Sequence, residues 1–436
     1  MSDKDRDKDS SGDDPLNNLF GMLFGLGGAQ GGAQGQFPAG GIPIDGNMLS
    51  SFLGQIQGLM GQSGSAGDVA RQTAASKVPT PDPSVTDEVS RATHDAFRLA
   101  ELWLERVTEF TTTNEPQSLT RKAWATGSVD GWVELAHPIQ ANMSHTFTDS
   151  LSDQIPEEMR PFMSSMSSMM TNMSASLFGA QIGEALGTLS GSVLTGTDYN
   201  LPILDAPALI ESNIAGASAE LDLDHTQLRI FVACVELAKR ALFASTPWLA
   251  GHIRTAFAKY ASNVEVDSSS IHDMMGNIDP QNLQAATEEL RNGMFKPVST
   301  EEGEQAKESL TRIVSTVAGW ADVVAYNACE PLEQRDEIRE ALRRRTTMTS
   351  DSEDALSQLI GLDLTPTRLR DAAALFTYLE SSEGAQARDA VFSHPDALPT
   401  NADLDDPLGY SERHTEQAQT EDDMDEALRR LLEEES

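Results

Sequence analysis

Gly179, Gly183, Gly187 and Gly191 recur every fourth residue in "LFGAQIGEALGTLSGSVL". Four residues is close to one helical turn, so these glycines form a ridge without side chains along one side of a helix. Another backbone can approach such a ridge more closely than any side chain would tolerate. The same spacing joins membrane helices. Here Glu184 and the surrounding Ser, Thr and Gln residues point instead to close packing in a water-soluble core.

Helical spacing runs through most of the chain. In "TDEVSRATHDAFRLAELWLERV" Thr86 is a candidate N-cap, and Val89, Ala92, Ala96, Leu99, Trp103 and Val107 fall on one face. Met159, Met163, Met166, Met170 and Met173 step by four and three, a stripe that reads as adaptable core. A further helix is expected from about His225 through "HTQLRIFVACVELAKRALFAS". Others are expected at "DPQNLQAATEELRNGM" with Asp279 as cap, in "TEEGEQAKESLTRIVSTVAGWADVVAYNAC", at "RDEIREALRRR" and in "TPTRLRDAAALFTYLESSEG". Trp124 and Trp132, in a turn-rich passage, read as core anchors. Alternating β-branched runs are almost absent. The expected fold class is mainly α, a multi-helix domain with little or no β-sheet.

The two ends differ from this body. Residues 1–80 are rich in Gly, Gln, Ala and Ser and are expected to be a disordered segment. Two apolar islands, at 17–28 and 48–60, could bind a partner groove. Residues 401–436 are expected to be an acidic, solvated tail, leaving 81–400 as the folded domain. The net charge is -37, which argues against nucleic acid as partner, since phosphate contacts need clustered Lys and Arg. No stretch reaches the roughly 18 apolar residues of a membrane span. With only Cys234 and Cys329, and a charged start without a signal-peptide pattern, the expected compartment is the cytoplasm. One disulfide is possible and nothing requires it.

Common catalytic signatures are missing. There is no phosphate-cradling G-x-x-x-x-G-K-[ST] loop and no G-x-S-x-G elbow. No two histidines lie four apart, so spacing alone gives no zinc site. Within "CVELAKRALFASTPWL", however, Val235-Glu236-Leu237-Ala238-Lys239 has the outline of a zinc-peptidase helix motif without its histidines.

That segment resembles the active helix of the actinobacterial zincin-like metallopeptidase family, whose members also carry hydrolase and coenzyme F420 biosynthesis labels. The family shows His-Glu-x-x-His, then a basic residue, Leu-Phe and Pro-Trp-Leu. This chain keeps Arg240, Leu242, Phe243, Pro247, Trp248 and Leu249. Similar blocks follow in the same order over roughly 81–410: "AFRLAELWLERVTEF", the glycine ridge, "VAGWADVV", "LRRRTT", "LIGLDLTPTRLRDAAALF" and "RDAVFSHPDALPTNADLDDP".

The resemblance implies a zincin-like fold and, in the family, zinc. In the motif two histidines one turn apart reach one ion, and the Glu is general base for its bound water. Here those positions are Val235, Glu236 and Lys239. The family's later Glu-Gly-Trp element reads Ala318-Gly319-Trp320. Val and Ala carry no lone pair, and a protonated Lys repels a dication. The implied reading is a protein that has lost zinc and peptidase activity and acts through binding, with no cofactor expected and Glu236 a retained but non-functional base position. The alternative is an active zinc hydrolase with a non-standard site drawn from His225, His252, Glu236 and Asp322. A third reading is a structural domain whose cleft is filled. Lys239 is further expected to stand where the cation would be and to neutralise Glu236.

Overall fold

The glycine ridge is filled by a helix. In the computed structural model, which describes residues 65–152, 160–266, 297–346, 357 and 360–415, with side chains outside 143–174 and 264–299, helix α1 spans Ala66–Lys77. It lies along the C-terminal half of α5, Arg160–Leu189. A Cβ on Gly187 would sit 2.7 Å from the Ala74 carbonyl oxygen, and one on Gly191 2.8 Å from Pro79. Gly179 and Gly183 meet the carbonyls of Ala66 and Ala70 in the same way. A capping box between Ser65 and Asp68 starts α1, and Lys77 closes its far end on Glu184 at 2.7 Å.

This helix falls inside residues 1–80, where composition predicts no structure. The described body therefore starts near residue 65 rather than 81. The reason is physical: α1 buries little side chain of its own, only Ala70 and Ala74, and is held by backbone proximity that an apolar count does not register. The apolar islands lie outside the described residues, as do the Met stripe's side chains and the helix expected after Asp279.

The other helices arise where spacing and caps predict them. Thr86 caps α2, Asp87–Leu104, through its hydroxyl and the Val89 N–H. Short α3, Arg121–Gly127, and α4, Val129–Ser152, carry Trp124 and Trp132 into the core. After α6, Glu211–Leu221, Asp224 caps α7, His225–Ser245. Pro247 opens α8, Pro247–Ser262. Helix α9, Glu301–Ala328, packs against α7, α8 and α11, Leu369–Glu383. Helix α10 spans Arg335–Arg345 and α12 Ala385–Ala390. Gly319 lets α11 approach α9, since a Cβ there would lie 2.5 Å from that of Ala372.

Among the described residues β-structure is confined to two short pairs. Strand β1, Gln117–Ser118, runs parallel to β2, Ala208–Leu209, and β3, Val264–Val266, antiparallel to β4, Pro297–Ser299. The fold is mainly α. All described residues belong to one unit, Gly64–Val266 with Lys296–Ser436.

The expected acidic tail is also shorter than its composition suggests. Helix α13, Asn401–Asp405, packs on α11. Asp403 is buried, accepting from the Thr400 N–H at 2.8 Å, from Arg413 at 2.7 Å and facing His414 at 3.2 Å. These partners, chiefly the Thr400 hydroxyl and N–H, hold its carboxyl below the usual range against the cost of burial. Residues 416–436 lie outside the described part.

Candidate functional site

Helix α7 is buried from Phe231 to Phe243 but for Val235, so its polar residues there must find partners inside the protein. Glu236 finds them in the loop between α5 and β2. Its Oε2 accepts from the Thr197 N–H at 3.0 Å and from the Thr197 hydroxyl at 2.5 Å, and its Oε1 accepts from the Ala208 N–H at 3.1 Å. Gly196 is required here, because a Cβ would sit 2.9 Å from Glu236 Oε1. Strand β2 brings Ala208 to this point by pairing with β1, while the Gly196 N–H donates to the Ala208 carbonyl.

Burial pushes the Glu236 carboxyl above its usual range, and the Thr197 and Ala208 donors, with Lys239 and Arg240, pull it back. Three donors on a carboxylate that water does not reach offset part of its desolvation, and burial remains the larger effect.

One turn along, Lys239 is also buried. Its Nζ donates to the Thr197 carbonyl at 3.2 Å. Burial draws its pKa below the usual lysine value, and Asp198, ahead of Glu236, raises it again. No ion pair joins Glu236 to Lys239. The two charges act on each other through space, while the hydrogen bonds of the carboxylate go to the Thr197 and Ala208 donors and that of the ammonium to the Thr197 carbonyl.

Val235, Lys239 and Ala318 nevertheless share one place. All three line a cavity of about 130 Å³ between α7, α9, α10 and the 192–200 loop. Glu236 does not line it. The loop contributes Asp198 and Asn200, α9 contributes Asp322, and α10 contributes Arg339, Arg343 and Arg345. Asp322 is held by Arg339 at 2.6 Å and Arg343 at 2.5 Å. Arg339 also stacks over Tyr326, 4.1 Å from its ring centre. Asn200 adopts the left-handed conformation, φ 56°, and its N–H donates to the Thr197 carbonyl at 2.8 Å.

The donors proposed for a non-standard metal site stay apart. His225 faces Glu211 at 3.6 Å and Arg229 at 3.3 Å. His252 packs edge-on against Trp248, and Asp322 is taken by two arginines. Among the described residues no group of three His, Cys, Asp or Glu side chains could hold a metal ion. Val235, Lys239 and Ala318, which line the cavity, do not fit zinc, since two are hydrocarbon and the third is an amine.

The sequence matches the family model described as zincin-like metallopeptidase over residues 64–410. The chain belongs to the zincin-like metallopeptidase family. The match begins just before α1 and ends at Tyr410, so the family's extent includes both the helix on the glycine ridge and the start of the acidic end. No curated protein matches the chain. A solved structure from Chloroflexus aurantiacus, titled "a putative hydrolase with a novel fold", is similar at 17% identity with a TM-score of 0.56, covering 80% of this chain and 98% of that one. At that identity the likeness concerns the fold of this zincin-like chain.

Thr197, Asp198, Asn200, Arg339, Arg343 and Arg345 were not among the candidate site residues of the motif reading, although the "LRRRTT" block holds two of them. The signals were present: "TGTDYN" concentrates short polar side chains after the glycine ridge, and "LRRR" places three cations in succession. Neither pattern is specific without the third dimension. Among the described residues no helix is long and apolar enough to cross a membrane.

Proposed function

We propose that this zincin-like chain works without the family's zinc and without peptide hydrolysis, as a binding protein. The observation that carries the reading is the lining of one cavity by Val235, Lys239 and Ala318, the three positions where the motif calls for ligands. A catalytic zinc needs about three protein donors and an open position. Here one position is an ammonium, which repels a dication, and two are hydrocarbon.

The state of Glu236 supports the same reading. A general base must reach a water in the site. This carboxylate lies outside the cavity, with both oxygens engaged by Thr197 and Ala208. It behaves as a structural anchor that ties α7 to the loop and to β2.

An active hydrolase with other donors would need His225, His252, Glu236 and Asp322 to converge, and each has a separate partner. The deciding experiment is zinc content after the purified full chain is equilibrated with excess zinc and then dialysed. Far less than one zinc per chain is expected, together with no hydrolysis of a denatured protein substrate. One tightly held zinc per chain would overturn the reading.

A further inference from the structure

The cavity that carries the lost ligand positions is cationic, in a protein whose net charge is -37. Lys239, Arg339, Arg343 and Arg345 line it, against Asp198 and Asp322. Positive charge gathered around a small space, with the Lys239 ammonium itself buried, is costly unless something answers it.

Some of it is answered internally. Asp322 takes Arg339 and Arg343 together. Asp198 spends its oxygens on the loop, accepting from the Leu194 N–H, from the Thr195 N–H at 3.2 Å and from the Thr195 hydroxyl at 2.7 Å. Among the described residues the hydrogen bonds of Lys239 and Arg345 go to backbone carbonyls, those of Thr197 and Ser192, and Asp198 and Glu236 act on Lys239 through space without an ion pair. An ammonium has three N–H donors, and Lys239 uses one of them while only 7% exposed.

Asn200 provides an independent sign. It is 2% exposed, lines the same cavity, and its side-chain Oδ1 has no hydrogen-bond partner. Among the described residues no side-chain hydrogen bond ties the Asn200 oxygen into the loop, and the backbone N–H donates to the Thr197 carbonyl. A buried oxygen without a donor costs free energy, and the amide recovers it beside an oxyanion by turning over so that its NH₂ faces the ligand. The amide group can present either its NH₂ or its oxygen to a ligand.

We propose that this cavity binds a small oxyanion, a phosphate or a carboxylate, with Lys239 and Arg345 as its charge partners and Asn200 as a neutral hydrogen-bond partner. The proposal rests on the metal-free reading and names the ligand class of that site. About 130 Å³ is the space of roughly four water molecules, enough for a tetrahedral oxyanion or a short carboxylate chain. The apolar wall of Val235 and Ala318 limits the ligand to one with a compact charged end. Arginine forks and a lysine ammonium are the usual partners of such groups.

The test is isothermal titration of the metal-stripped full chain with inorganic phosphate and, separately, with succinate. Two variants accompany it: Lys239→Met, which removes the buried ammonium, and Arg345→Gln, which changes a partly exposed residue and guards against a folding failure. At least one anion is expected to bind, and each variant with wild-type helical circular dichroism is expected to weaken it about tenfold or more. Binding of phosphate alone assigns a phosphoryl ligand, and of succinate alone a carboxylate ligand. Failure of both anions to bind, or equal binding in a folded variant, overturns the oxyanion site while leaving the metal-free reading intact. One zinc per chain before stripping would instead overturn that reading.

Discussion

Glu236 and Lys239, one turn apart on α7, are both hydrogen-bonded to Thr197, with no ion pair between them. Thr197 donates its N–H and hydroxyl to the carboxylate and offers its carbonyl to the ammonium. One loop residue thus separates two buried charges and satisfies part of each. The carboxylate becomes an internal anchor, and the ammonium is left facing the cavity that Val235 and Ala318 share.

Removing the Thr197 hydroxyl should therefore expose the cost of the buried carboxylate. Thr197→Val keeps the shape and the N–H but loses one donor to Glu236. A loss of about 1–3 kcal/mol in urea unfolding is expected. Unchanged stability would mean that Glu236 has another donor or reaches solvent.

The pH dependence has a definite sign. Burial raises the Glu236 carboxyl in the folded protein above its usual value. Between the usual value and the raised one the native state holds a proton that the unfolded chain has released. Stability contributed by this group is therefore present below the unfolded pKa and falls as pH rises through that window. Glu236→Gln should flatten this component when urea midpoints of the two proteins are compared across the window. A pH profile unaltered by the substitution would refute the assignment.

The glycine ridge gives a prediction about packing. A Cβ at Gly183 would press on the Ala70 carbonyl and lie 2.8 Å from the Thr73 Cβ. Gly183→Ala is expected to cost about 1–3 kcal/mol by overpacking, despite alanine's better helix propensity. Limited proteolysis should show faster cleavage within 65–80, where α1 detaches. Equal protection of α1 would contradict the close approach.

Cys234 and Cys329 are both free and buried. Burial first, and then the neighbouring Cys329, pushes the Cys234 thiol well above its usual range, so the reactive thiolate is suppressed. A disulfide reagent such as DTNB should leave both untouched in the native protein and titrate two thiols after denaturation. Rapid native reaction of either would place it nearer the surface.

The helices with strong apolar stripes and polar caps were legible in the sequence: Thr86 before α2, His225 at the start of α7, and the long α9 all form as spacing and capping dictate. What escaped was structure stabilised by partners distant in the chain. Helix α1 is alanine against glycine, with almost no apolar volume to count. Asp403 is acidic by composition yet buried, because Thr400, Arg413 and His414 surround it. Arg388 is fully buried against the nearby Glu380 and Asp389 and against the Val107 carbonyl, which no local pattern joins to it.

The candidate site divides in the same way. The motif frame located Val235, Glu236, Lys239 and Ala318, and three of them converge on one cavity. The direction of each side chain was not legible, since it depends on a loop forty residues upstream. That loop decides that Glu236 turns away and Lys239 does not.

The most direct test rebuilds what the cavity lacks. Zinc per chain is measured in the wild-type protein and in the triple variant Val235→His, Lys239→His, Ala318→Glu, both equilibrated with zinc and dialysed. The account predicts well under one zinc for the wild type and close to one for the variant. One tightly held zinc in the wild type would contradict it.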